Sequence, residues 1–110
     1  MKQFYTVVLD RLTTFSGKFA TEPYETGWAD EAIIFIRIHE IDANATINGT
    51  AQISVDGIVW VDNDGDAFSG INKPGDYYLK VKHFGGWLRL QAEITQGASC
   101  KATISIVLKG

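Results

Sequence analysis

Hydrophobic and polar residues alternate with a period of two along most of this chain, the repeat that sends successive side chains of a pleated strand to opposite faces. In "TAQISVD", Ala51, Ile53 and Val55 share one face, and Thr50, Gln52 and Ser54 share the other. "YYLKVKHF" sets Tyr77, Leu79 and Val81 against Tyr78, Lys80 and Lys82. "WLRLQAEIT" turns Leu88, Leu90, Ala92 and Ile94 inward and Trp87, Arg89, Gln91 and Glu93 outward, and "ATISIVLK" repeats the pattern with Ala102, Ile104, Ile106 and Leu108. Each predicts a half-buried antiparallel strand.

Two further segments read as strands with a less regular pattern. "EAIIFIRIHEI" carries Ile34, Ile36 and Ile38 on one side and Ile33, Phe35, Arg37, His39 and Ile41 on the other. Its β-branched residues disfavour a helix, and its pattern predicts a strand covered on both faces for part of its length. "FYTVVLD" is strand-like and has no helix cap before it. Between the runs lie turn signals: Ser16-Gly17, Asn48-Gly49, Asp56-Gly57, the stretch from Asn63 to Asp66, Pro74-Gly75 and Gly85-Gly86. Six to eight short strands at this spacing predict an all-β fold, an antiparallel β-sandwich with the jelly roll as its expected form. At 110 residues and 45% hydrophobic, residues 1–110 make one domain with material for one core.

Charge narrows the partners. The net charge is −3, and the lysines and arginines are scattered singly, so there is no positive field to draw a phosphate backbone and nucleic acid is not expected. No apolar run approaches the roughly 20 residues of a membrane span, and Asp10 and Arg11 interrupt the apolar start where a signal peptide would need a continuous core. The expected site of synthesis is the cytoplasm, where the sequons at Asn44 and Asn48 carry no information. The single cysteine, Cys100, reads as a small buried or half-buried thiol.

The stretch "SVDGIVWVDNDGD" concentrates acids between Ser54 and Asp66. Asp62, Asp64 and Asp66 fall at the first, third and fifth positions of a helix-flanked calcium loop, but Ala67 replaces the glycine of its sixth position and Lys73 the glutamate of its twelfth. A solvated turn is the leading reading, and a metal site on these three aspartates is the lesser one. "SVDGIVW" itself predicts a strand, an Asp-Gly turn in which Gly57 supplies a positive φ, and the return of Trp60 to the core. His39 and His83 fall in different segments without metal-ligand spacing. No nucleophile elbow or phosphate-binding glycine loop occurs, so the expectation is a protein without catalytic residues or cofactors.

Three tryptophans and four tyrosines invite a second reading, a carbohydrate-binding module whose exposed rings stack on sugars. The alternative is that these rings fill a core or an oligomer interface. Trp87 and Arg89 point outward together on their strand and are the expected contact residues, for a protein or a glycan. Phe19, Tyr24 and Trp28, in a connection around Pro23, are expected to be buried in the core or between subunits.

From Ile53 onward, Ser54, Asp56, Gly57 and Trp60, then Gly75, Tyr77 and Val81, then Trp87, Leu88, Arg89 and Leu90, form a succession that resembles small tailed-bacteriophage virion proteins of the sandwich or jelly-roll type. The resemblance covers the C-terminal two thirds; the part before Gly27 carries no matching motif. It implies a capsid-decoration or fibre module made in the bacterial host cytoplasm and carried in the virion. It also implies a homo-oligomer, with a trimer favoured, whose partners are other virion proteins such as the major capsid or tail protein.

Overall fold

The computed structural model describes residues 4–82, 84 and 86–110, the side chains of residues 4, 64 and 65 apart. His83 therefore lies outside the described residues. Among those described, nine strands form: β1 (Phe4–Ser16), β2 (Lys18–Ala20), β3 (Tyr24–Glu25), β4 (Glu31–Ile41), β5 (Ile47–Ser54), β6 (Val61–Ile71), β7 (Gly75–Lys82), β8 (Trp87–Ile94) and β9 (Ser99–Lys109). They build two antiparallel sheets, one in the order β1-β9-β4-β7 and the other in the order β2-β8-β5-β6, with β3 also on β8. The pairs are nested: β1 takes β9, β2 takes β8, β4 takes β7 and β5 takes β6. One long antiparallel ribbon is thus folded across itself, the strand order that the jelly-roll expectation requires.

The inward rows of the two sheets face each other. Cys100, Ala102, Ile104, Ile106 and Leu108 of β9 and Ala32, Ile34, Ile36 and Ile38 of β4 are buried from one side. Leu88, Leu90, Ala92 and Ile94 of β8 and Ile47 and Ala51 of β5 are buried from the other. Full burial of one such branched aliphatic side chain contributes about 1.5–3 kcal/mol, so these rows carry the fold. Burial also raises the Cys100 thiol above its ordinary pKa, with the Asp42 carboxylate adding to the effect. On β5, Gly49 holds an inward place because a Cβ there would lie 2.6 Å from the Phe68 ring.

Several expectations are corrected. β4 is not covered on both faces: Phe35 and Arg37 are exposed. The connection around Pro23 forms the rim of the second sheet. β2, Thr21 and β3 run along β8, with Thr21 N–H donating to Leu90 O at 2.8 Å and Leu90 N–H donating to Thr21 Oγ1 at 3.0 Å. Pro23 has no N–H to give to a ladder, and it stands where the two short strands are separated. Phe19 and Tyr24 are half-buried against the core, Phe19 stacked on Phe15 at 4.1 Å. Trp28 is 44% exposed within this chain, because it sits in the turn after β3.

The outer strand β1 is irregular in its middle. Its register against β9 shifts on both sides of Asp10, and Leu12 adopts φ 49°, a left-handed conformation that costs an L-residue about 1–2 kcal/mol. Such a bulge interrupts the regular ladder on which a second chain could pair. Asp10 Oδ2 is buried there without a hydrogen-bond partner, and the carboxyl's pKa is raised, first by loss of water and then by Glu22. A carboxyl with a raised native pKa favours folding most when protonated, so its penalty is felt at neutral pH and fades as pH falls through that pKa. Asp10→Asn is therefore expected to stabilise the protein at pH 7 by on the order of 1 kcal/mol. Thermal melts at neutral and acid pH should show the gain shrinking as the wild-type carboxyl becomes protonated.

Candidate contact surface

β5 ends at Ser54, and the next residues form a tightly bonded loop. Ser54 Oγ accepts the N–H of Gly57 at 2.8 Å and that of Asp56 at 3.3 Å, while its own hydroxyl donates to Asp56 Oδ1 at 3.0 Å. Asp56 Oδ1 also accepts the N–H of Ile58 at 2.8 Å and of Val59 at 3.1 Å. Donation from Ile58, then Val59, then Ser54 holds the Asp56 carboxyl below the usual carboxylate range. Since the folded pKa is depressed, the clasp keeps its strength through neutral and mildly acid pH and is lost only as pH drops through that lowered value.

This clasp holds apolar side chains out in water. Val55 is 94% and Ile58 79% exposed, and Val59 and Val61 are exposed beside them. Val55, Val59 and Val61 border a shallow groove of about 310 Å³ floored by Ile53 and Ser54. The expected inward place of Val55 is overturned because the strand stops one residue earlier. Trp60 also fails to return to the core. It is half-buried with the Arg89 guanidinium 4.4 Å over its ring, a cation–π contact.

The two residues singled out from the sequence lie where their phase put them. Trp87 and Arg89 are half-buried on the outer side of β8. The Trp87 ring lies under the loop, so that a Cβ at Gly57 would come within 3.3 Å of it, and Gly57 has φ 78°. Arg89 Nε donates to Gln52 Oε1 at 2.8 Å, and Gln52 Nε2 donates to Asp62 Oδ1 at 3.0 Å. A polar chain thus runs from β8 across β5 to β6 and braces the base of the apolar tip. Strand phase placed Trp87 and Arg89 outward but gave no place to Ile58, Val59 and Val61; the signal was present, since "GIVWV" places more apolar residues around a turn than a strand end can bury.

Two of the three aspartates of the acidic stretch, Asp62 and Asp66, make local bonds. Asp62 receives Gln52, and Asp66 Oδ2 accepts Asn63 Nδ2 at 2.7 Å while the same Asn63 amide donates to Lys82 O at 3.0 Å. The side chain of Asp64 lies outside the described residues. Among the described residues no cluster of three His, Cys, Asp or Glu side chains is placed to hold a metal ion. His39 Nε2 lies 2.9 Å from Thr103 Oγ1 on the outer side of β4.

No family model matches the chain, and no curated protein sequence matches it. Similarity appears among solved structures. The SPBc2 prophage-derived protein YomS superimposes with a TM-score of 0.66 at 9% identity, covering 100% of this chain and 96% of that one. A chain of the infectious bursal disease virus Gx strain structure gives 0.65 at 12% identity, over 99% of this chain but only 33% of the viral one. A CBM4 structure gives 0.51 at 12% identity, over 97% and 71%. At such identities the likeness establishes the fold, an antiparallel β-sandwich found in prophage and viral proteins and outside them.

Gly57→Ala is expected to cost about 1–2 kcal/mol from the left-handed backbone alone, with a change in tryptophan fluorescence as Trp87 is displaced. Gly27→Ala, where a Cβ meets nothing within 4 Å, serves as the control that should leave both readings unchanged.

Proposed function

We propose that this chain is a non-enzymatic structural module of a bacteriophage virion, a capsid-decoration or fibre unit that acts through oligomeric protein–protein contacts. The observation that carries the reading is the clasped apolar tip: Val55, Ile58 and Val59 stand exposed on a loop tied down by Ser54 and Asp56. A contiguous exposed apolar patch marks an interaction site, and a rigid one loses less entropy on docking. Trp87, Trp60 and Arg89 stand at its base, residue types enriched in the parts of interfaces that dominate binding energy. The match to a prophage-derived protein over nearly all of both chains supports a viral setting, as does the resemblance carried by Ser54, Asp56, Gly57 and Trp60. In this reading the module forms a homotrimer, is made in the bacterial cytoplasm and docks on a capsid or tail protein.

Sedimentation of the purified protein at micromolar concentration, alone and with isolated capsid and tail shells of the phage that encodes it, tests the proposal. The expected result is a defined oligomer or co-sedimentation with shells, weakened at least tenfold by Val55→Asp combined with Ile58→Asp in a protein that stays folded. A monomer that ignores the shells would overturn the reading, and association unchanged in the double variant would remove the tip as its contact.

A further inference from the structure

The outer face of the β1-β9-β4-β7 sheet carries a second surface of different chemistry. Register places Val8, Ser105, Phe35 and Tyr78 in one row across the four strands. Phe35 is 40% and Tyr78 61% exposed, and their rings lie 6.2 Å apart, tilted by 42°. The next row holds Thr103, Arg37 and Asp76, in which Arg37 Nε donates to Asp76 Oδ1 at 2.7 Å and a second guanidinium nitrogen approaches Oδ2 at 3.4 Å. An ion pair this exposed contributes little to folding. It does hold a planar guanidinium–carboxylate unit, with spare donors and acceptors, beside two aromatic rings.

Phe35, Arg37 and Asp76 border a groove of about 430 Å³, walled on the far side by Thr6 and Val107, while Tyr78 borders the neighbouring trough. A second trough of about 460 Å³ begins on the other side of Asp76 and Tyr77 and reaches Ser69, Gly70 and Asn72. Each is within the usual size of a small-ligand site, roughly 300–1,000 Å³. Because they share Asp76 and Tyr77, a ligand that fills both must be a chain rather than a compact molecule. Rings that offer flat apolar faces, next to hydroxyls and a paired acid and base, suit pyranose sugars, which present C–H faces and hydroxyl edges together.

Charge selects the kind of sugar. Lys80 and Lys82 of β7 and Lys101 and Lys109 of β9 share the outward register with Arg37, against Glu31, Glu40 and Asp76. The face is thus basic on a protein whose net charge is −3, which favours an anionic partner at this surface. We infer that this face binds an acidic polysaccharide, a pyranose chain bearing carboxylates, with Phe35 and Tyr78 each stacking on a different ring of the chain, Arg37 and Asp76 reading its hydroxyls, and Lys80 and Lys82, farther along β7 beyond both grooves, meeting its carboxylates. The site lies on the opposite side of the sandwich from Trp87 and the apolar tip and does not depend on what they dock against.

Calorimetric titration with polygalacturonate, with dextran as the uncharged sugar polymer and polyglutamate as the charged polymer without sugar, tests the inference. Binding to polygalacturonate is expected to exceed both controls, and to fall roughly tenfold in Phe35→Ala and in Tyr78→Ala while their circular dichroism and melting temperatures stay near wild type. Absence of binding, equal binding to polyglutamate, equal binding to dextran, or affinity unchanged in both aromatic variants would each overturn it. So would dissociation of a protein oligomer by Tyr78→Ala, because the face would then be a subunit interface.

Discussion

Everything in this molecule depends on β8 and β9 each lying between two partners with one apolar face turned to the other sheet. β9 is paired by β1 and β4, and β8 by β2 with β3 on one side and β5 on the other. A slip of one residue in either strand would turn a full row, such as Leu88, Leu90, Ala92 and Ile94, out into water. The register is therefore held by burial. Once it is held, the outward row of every strand is also assigned, and both candidate surfaces are made from outward rows and from the loop between β5 and β6.

That division explains how much was legible beforehand. Strict alternation named the buried faces of β8 and β9 residue by residue, because a strand central to its sheet has one dry face and no other use for its apolar residues. It also placed Trp87 and Arg89 outward. Reading failed where an apolar residue had a use other than the core. Val55 continues the apolar pattern of β5, but the Ser54–Asp56 bonds end the strand first, and Trp60, expected back in the core after the turn, lies under the Arg89 guanidinium instead. Phe35 looked like the second buried side of β4, yet it faces a groove. The rim formed by β2 and β3 was missed because Pro23 divides it into pieces too short to show a period.

Of the acids that first suggest an ion site, those whose side chains are described make local bonds. Asp56 ties the turn, Asp62 ends the polar brace from Arg89, and Asp66 takes one hydrogen of the Asn63 amide. Asp62 and Asp66 are bonded to neighbours that the strand geometry supplies, and Asp56 to the amides of its own loop. Among the described carboxylates with perturbed titration, Asp10 is the one whose environment works against its charge, and it sits at the irregular centre of β1. The molecule thus places its irregular backbone on one outer strand, its hydrogen-bonded apolar tip at one end of the second sheet, and an aromatic groove on the outer face of the first.

The claim on which the functional account turns is that the tip is rigid while its side chains are in water. Amide hydrogen exchange of the native protein at Ile58 and Val59 tests it most directly. The account expects both amides to exchange well below the rate of an unstructured chain, since both donate to Asp56 although their side chains are exposed. Exchange of both at the unstructured rate, with the amides of β8 and β9 still protected, would mean that the loop is not held, and the case for a preformed contact surface would fail.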